Sequence, residues 1–174
     1  TWLRRQRQMC IRDRYMNVKH VLSRTNSLVA IMTTLNMLSL PTFNNFIDDI
    51  MDLRILFNKG LENNRIPISL NYLRWPPHLQ ATLLDKETRV DYVNKILPHG
   101  EQWLKYYSPD KYARLYLEEW DQLKRWCDYL VTEPTQEKFR KDFVNYIKAY
   151  DVRRDKDFTT TFPDFANLLE DWNV

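Results

Sequence analysis

Glycine is almost missing from this chain, whose 174 residues include only Gly60 and Gly100. A phosphate cradle needs several glycines for backbone N–H groups to close on the anion, so nucleotide-loop chemistry of that kind is excluded. Cysteine is equally scarce, and Cys10 and Cys127 make neither a disulfide framework nor a metal-ligand set. His20, His78 and His99 lie far apart with no matched carboxylate or thiol spacing, so each is expected to be satisfied or exposed, not a ligand. No apolar run approaches the ~20 residues that span a bilayer. No signal peptide is expected either, because no apolar core follows the charged N-terminus. The default setting is cytoplasmic.

Aromatic residues and unevenly placed charge are what the chain does have. Six Trp, ten Tyr and eight Phe predict an aromatic-rich core and contact surface. The formal net charge of +3 is local: residues 1–14, TWLRRQRQMCIRDR, hold five Arg and one Asp, while the remainder is slightly acidic. The stretch RQMCIRDR resembles the conceptual translation of a sequencing-adapter remnant of the kind left at the edges of assembled metagenomic reads. Residues 1–14 are then a non-native head, Cys10 is not native, and the chain is the tail of a longer protein. A natural basic arm for nucleic acid or lipid is the competing reading.

Residues 15–26 predict a short helix or loop. Leu28 to Thr34 reads as a buried strand, apolar on both faces. Pro41 suits the first turn of a helix, where its missing N–H has no intrahelical partner. Phe43, Phe46/Ile47, Ile50, Leu53 and Phe57 then form one apolar stripe at helical spacing. Gly60 provides the stop. Ile66 to Asn71 reads as a second strand, so the segment Ser27 to Pro77 predicts a βαβ unit in a parallel sheet. The tandem prolines of RWPPHLQATLLD predict an extended crossing with a short edge strand at Gln80 to Leu84. Asp85 is placed to cap a helix running to about Leu97, where Pro98 and Gly100 break it.

The remainder is helical. Ser108-Pro109-Asp110 is a start signal, and Tyr112, Tyr116, Trp120, Leu123, Cys127 and Leu130 share one face of a long helix. Glu133-Pro134-Thr135 interrupts it. Phe139, Phe143, Ile147 and Tyr150 form the next stripe, DVRRDKDFTTTF a polar loop held against the body, and Pro163 opens a last short helix. Residues 15–97 thus read as βα units and 98–174 as a helical region.

Several polar residues invite a chemical reading. Asp48 and Asp52 are four apart on one helix and able to form a carboxylate pair, but a solvated outer face is the plainer expectation. Cys127, within an apolar stripe, reads as a buried thiol. Arg153, Arg154 and Lys156, interleaved with Asp151, Asp155 and Asp157, read as a salt-bridged surface. Thr34, Asn36, Asn71 and Tyr72 fall at strand C-terminal ends, the positions that face the reaction site in barrels of βα units, with Arg74 just beyond. On composition alone they are equally the turn residues that satisfy loose backbone groups.

Three stretches together resemble the C-terminal half of radical S-adenosylmethionine (SAM) enzymes, particularly the twitch/SPASM-related group. AIMTTLNMLSLPTFNNFIDDIM is similar to that family's fifth barrel strand, its strand-end Asn and the following helix. RIPISLNYLRWPPHLQATLLD resembles the sixth strand and its continuation, and YDVRRDKDFTTTFPDFANLLEDW the closing segment. The resemblance implies an α/β fold: the last two parallel strands of a partial (β/α)6 barrel with their helices, then a helical C-terminal region. It also implies, in the intact parent, a [4Fe-4S] cluster on a C-x3-C-x2-C motif and cleavage of SAM to a 5′-deoxyadenosyl radical. This chain lacks that motif and the auxiliary-cluster cysteines, so alone it is expected to be inactive. Asn36, Asn71 and Tyr72 then correspond to SAM- and substrate-positioning residues, and Thr34 and Arg74 support them. The substrate, a peptide or small molecule, is left open, and neither nucleic acid nor membrane is expected as a partner. The alternatives are a non-enzymatic helical interaction module and nucleic-acid binding through residues 1–14.

Overall fold

A computed structural model describes residues 2–60, 63–105 and 113–172, with side chains from residue 13 onward except residue 105. The chain is mostly helical around a two-stranded parallel sheet. Helix α1 (Trp2–Arg24) is continuous, so residue 14, the expected limit of the head, falls inside a helix. Leu22 is buried, while Tyr15 and Val18 pack against the core. The guanidinium of Arg65 donates to the carbonyls of Leu22, Thr25 and Ser27, a cation on the C-terminal carbonyls of α1.

Strand β1 (Ile31–Leu35) pairs in parallel with β2 (Ile68–Tyr72), Ile31 opposite Ile68 and Leu35 opposite Tyr72. Both start two or three residues later than the sequence predicts. Helix α2 (Phe43–Phe57) is the crossover, so the predicted βαβ unit is present. Its stripe of Phe43, Ile47, Ile50 and Leu53 is buried, and Gly60 takes φ +76°, the left-handed conformation that glycine enters without a Cβ penalty. Pro41 falls in a 3₁₀ segment, Met37–Thr42, ahead of that helix.

The expected strand at Gln80 to Leu84 is absent. Two 3₁₀ turns, Pro77–Leu79 and Ala81–Leu83, replace it, each closed by N–H groups reaching back three residues. Helix α3 (Lys86–Lys105) runs through Pro98 and Gly100 instead of ending there. The Pro98 ring faces solvent. Gly100 serves close packing: a Cβ there would stand 2.8 Å from Leu123 Cδ2 and 3.0 Å from Trp120 Cζ3. Asp85, immediately before α3, accepts from Arg140 at 2.6 Å.

Helix α4 (Leu117–Thr132) buries Leu123, Trp126, Cys127 and Leu130. Tyr116 lies just before it, and Ser108, Pro109, Asp110 and Tyr112 lie outside the described residues. Helix α5 (Arg140–Arg154) absorbs the DVRR expected in a loop, because no Gly or Pro interrupts it; Asp155 ends it at φ 50°. The stripe narrows to Phe143, Val144 and Ile147, with Tyr150 exposed. Asp151 and Asp157 accept from the backbone N–H groups of Phe158 and Thr159. Two short helices, α6 (Phe158–Thr161) and α7 (Leu168–Asp171), follow, with Phe158, Phe165 and Trp172 in the core.

Candidate functional site

Period-two alternation gives the sheet two unlike faces. Leu35, Ile68 and Leu70 turn into the core, joined by the half-buried Ile31, Thr33 and Tyr72. Met32, Thr34, Ser69 and Asn71 occupy the other face, where Met32 is 79% exposed. The expectation of strands covered on both faces therefore holds for one face only. The bare face is polar towards the C-terminal end, where Thr34 stands directly opposite Asn71. Thr34 lies within β1, one residue before its last, Leu35.

Asn36 follows β1 immediately. Its backbone N–H donates to Ser39 Oγ at 3.0 Å, and the Ser39 hydroxyl donates back to the Asn36 carbonyl at 2.7 Å. The side-chain Oδ1 of Asn36 is buried and accepts no hydrogen bond. A buried carboxamide oxygen without a donor costs about 1–3 kcal/mol. Asn71, by contrast, is exposed and reaches only Ser69 Oγ, at 3.4 Å.

Tyr72 and Arg74 are not part of this group. Tyr72, on the opposite sheet face from Asn71, stacks on Tyr129 of α4, ring centroids 4.3 Å apart. The exposed Arg74 donates to its hydroxyl at 2.8 Å. They brace β2 against α4. Thus the structure gathers Thr34, Asn36 and Asn71 at the C-terminal ends of the strands and sends Tyr72 and Arg74 elsewhere.

The remaining candidates are structural. Asp48 is half-buried between α2 and α3, where it accepts from His99 Nε2 at 2.8 Å and Trp103 Nε1 at 3.1 Å; a wholly solvated face was expected there. Asp49 and Asp52 are exposed, and burial together with the neighbouring carboxylates of Asp52 and Asp48 holds Asp49 above the usual Asp range. His20 is exposed. His78 packs on the Tyr146 ring with a buried Nε2 that has no partner. Burial pushes the Cys127 thiol up to about 12, so it is an inert core group. Among the described residues no three His, Cys, Asp or Glu side chains gather to hold a metal ion, and no helix is long and apolar enough to cross a membrane. The basic side chains of the head lie outside the described residues apart from Arg14, which is exposed.

Sequence reasoning missed the polar network at the outer edge of β2. Arg54, fully buried, holds Glu119 through two contacts of 2.9 and 2.5 Å. It also donates to the carbonyls of Ile66 and Arg114. Glu119 in turn accepts from Ile68 N–H at 3.0 Å, and Gln122 accepts from Leu70 N–H at 2.8 Å. Side chains from α2 and α4 thereby occupy positions that a further strand would take. A signal existed: Arg54 and Glu119 both fall at core-facing spacing within apolar stripes. No family model matches the chain, and neither a curated protein nor a solved structure matches it significantly.

Proposed function

We propose that the chain is the C-terminal portion of a radical SAM enzyme of the twitch/SPASM-related group, with β1 and β2 as the fifth and sixth barrel strands. Thr34, Asn36 and Asn71 then face SAM and substrate. One observation supports this above the rest: a parallel βαβ unit presents a bare polar face at its strand C-terminal ends, beside a buried Asn36 oxygen without a donor. That oxygen suits an ammonium or amino N–H of SAM. The Thr34 hydroxyl and Asn71 carboxamide suit the polar groups of a neighbouring substrate. Bound SAM supplies the adenosyl group that such enzymes turn to hydrogen abstraction.

The iron–sulfur cluster does not fit the residues of this chain. Its described side chains offer no cysteine set, and Cys127 is buried and protonated. Cluster ligands have to come from a preceding segment, and the chain alone is inactive on this reading.

Sequencing the gene upstream of Met16 tests the proposal. A C-x3-C-x2-C motif in the same reading frame is expected, and a start codon near Met16 contradicts it, leaving a helical interaction module as the reading. In the extended enzyme, Asn36→Ala is expected to weaken SAM binding about tenfold, the value of one lost hydrogen bond, without lowering the melting temperature of the unliganded protein. Equal affinity in the variant would remove Asn36 from the site.

A further inference from the structure

The outer edge of β2 is closed by side chains, and one of the closures imitates a ligand. Leu70 N–H donates to the carboxamide oxygen of Gln122, and a carboxamide is chemically a peptide group. Beside that contact lies a groove of about 720 Å³ between β2 and α4, within the range of sites that hold drug-sized ligands. Leu70, Asn71 and Tyr72 line it from the strand, Arg125, Asp128 and Thr132 from the helix, and Glu133 just past the helix end adds a second carboxylate. Those three helix residues are exposed, so the wall presents a cation, a carboxylate and a hydroxyl in succession along one side of α4. Trp126, which also lines the groove, has a buried indole N–H with no acceptor.

We propose that this groove binds an extended peptide segment. The segment lies along β2, takes over the Leu70 N–H from Gln122 through its main chain, and sets an acidic side chain against Arg125 and a basic one against Asp128. Strand edges are recognised in this way because an extended peptide repeats donor and acceptor groups at the spacing of the strand. Other ligands fit less well. A simple anion meets the carboxylate of Asp128, a simple cation meets Arg125, and an apolar molecule leaves the polar wall desolvated without partners. The groove shares Asn71 with the face assigned to SAM and substrate, but neither SAM nor a cluster enters this inference, and its readouts at Leu70, Tyr72 and Gln122 are separate from SAM affinity.

The test is a titration of the blocked hexapeptide acetyl-Thr-Glu-Val-Lys-Val-Thr-amide, its Glu and Lys two residues apart on one side of an extended chain, into the isotope-labelled whole chain, followed by NMR. Saturable shifts are expected at the Leu70 and Tyr72 backbone amides and at the Gln122 side-chain amide. Gln122→Ala is expected to tighten binding several-fold, because the competing carboxamide is gone; a merely structural role would not produce a tighter complex. Arg125→Glu, at an exposed position, is expected to weaken binding about tenfold through loss of a charge-assisted contact, while Arg125→Lys retains most of it. It carries the test if Gln122→Ala lowers the melting temperature. The proposal is overturned by the absence of saturable shifts at millimolar peptide. Shifts confined to Ala30, Met32 and Thr34, or wild-type affinity in Arg125→Glu, overturn it equally.

Discussion

The two edges of the sheet are finished in opposite ways. On β2, Glu119 and Gln122 accept from Ile68 and Leu70, and Arg54 covers the Ile66 carbonyl. On β1, Ile31 spends its N–H on β2; the alternation of a parallel ladder turns the N–H groups of Met32 and Thr34 away from it. The side chains of Ala30, Met32 and Thr34 are exposed there. At one edge the outward N–H groups of β2 already have side-chain acceptors, whereas at the other the outward N–H groups of β1 have no backbone partner among the described residues.

Breaking the finished edge should have the largest effect. Glu119→Ala leaves the Arg54 guanidinium buried and unpaired, with Ile68 N–H also orphaned, so a loss of about 3–5 kcal/mol is expected. Chemical denaturation followed by circular dichroism reads it, and a loss below about 1 kcal/mol would mean that the network does not hold the edge. Gly100→Ala attacks the α3–α4 contact that carries the network's helix. The new Cβ would stand 2.8 Å from Leu123, and overpacking of this kind costs about 1–3 kcal/mol.

The open edge should respond differently. Met32→Lys is expected to change stability by less than about 0.5 kcal/mol, since the side chain is exposed. It should nevertheless reduce concentration-dependent association, because a charge blunts an unpaired strand; sedimentation velocity across a concentration series checks this.

The smallest expected effect is at Asp49, away from both edges. Its raised pKa means that the fold disfavours the carboxylate, so Asp49→Asn should stabilise at neutral pH. The gain is a few tenths of a kcal/mol for an exposed group. It should vanish as the pH falls below 3.8, the value of the group in the unfolded chain, where both folded and unfolded chains are protonated. Thermal melts at pH 7 and pH 3 compare the two.

What the sequence made legible, and what it hid, follows from the range of the interactions. The βαβ unit was readable because apolar runs, the stripe of Phe43 to Leu53 and the left-handed Gly60 are local signals. Pro98 and Gly100 misled because their local tendency to break a helix was overridden by packing against Leu123 and Trp120. The tandem prolines did prevent a strand, but they turned the chain in 3₁₀ steps instead of extending it. The pairing of buried Arg54 and the equally buried Arg89 could not be read locally, since partners of theirs lie at Glu119, Arg114, Leu130 and Glu133, each more than 40 residues away, although the spacing of Arg54 within its stripe was a signal. Of the five candidate residues, Thr34, Asn36 and Asn71 lie together at the strand C-terminal ends, as strand-end position implies. Tyr72 does not join them, because one residue of parity places it on the other face.

Amide hydrogen exchange of the native chain bears most directly on the claim that one edge is finished and the other is open. Ile68 and Leu70 should be protected close to the global unfolding limit, while Met32 and Thr34 exchange within a small factor of the unstructured rate. Protection of Met32 and Thr34 equal to that of Leu70 in a monomeric sample would contradict it.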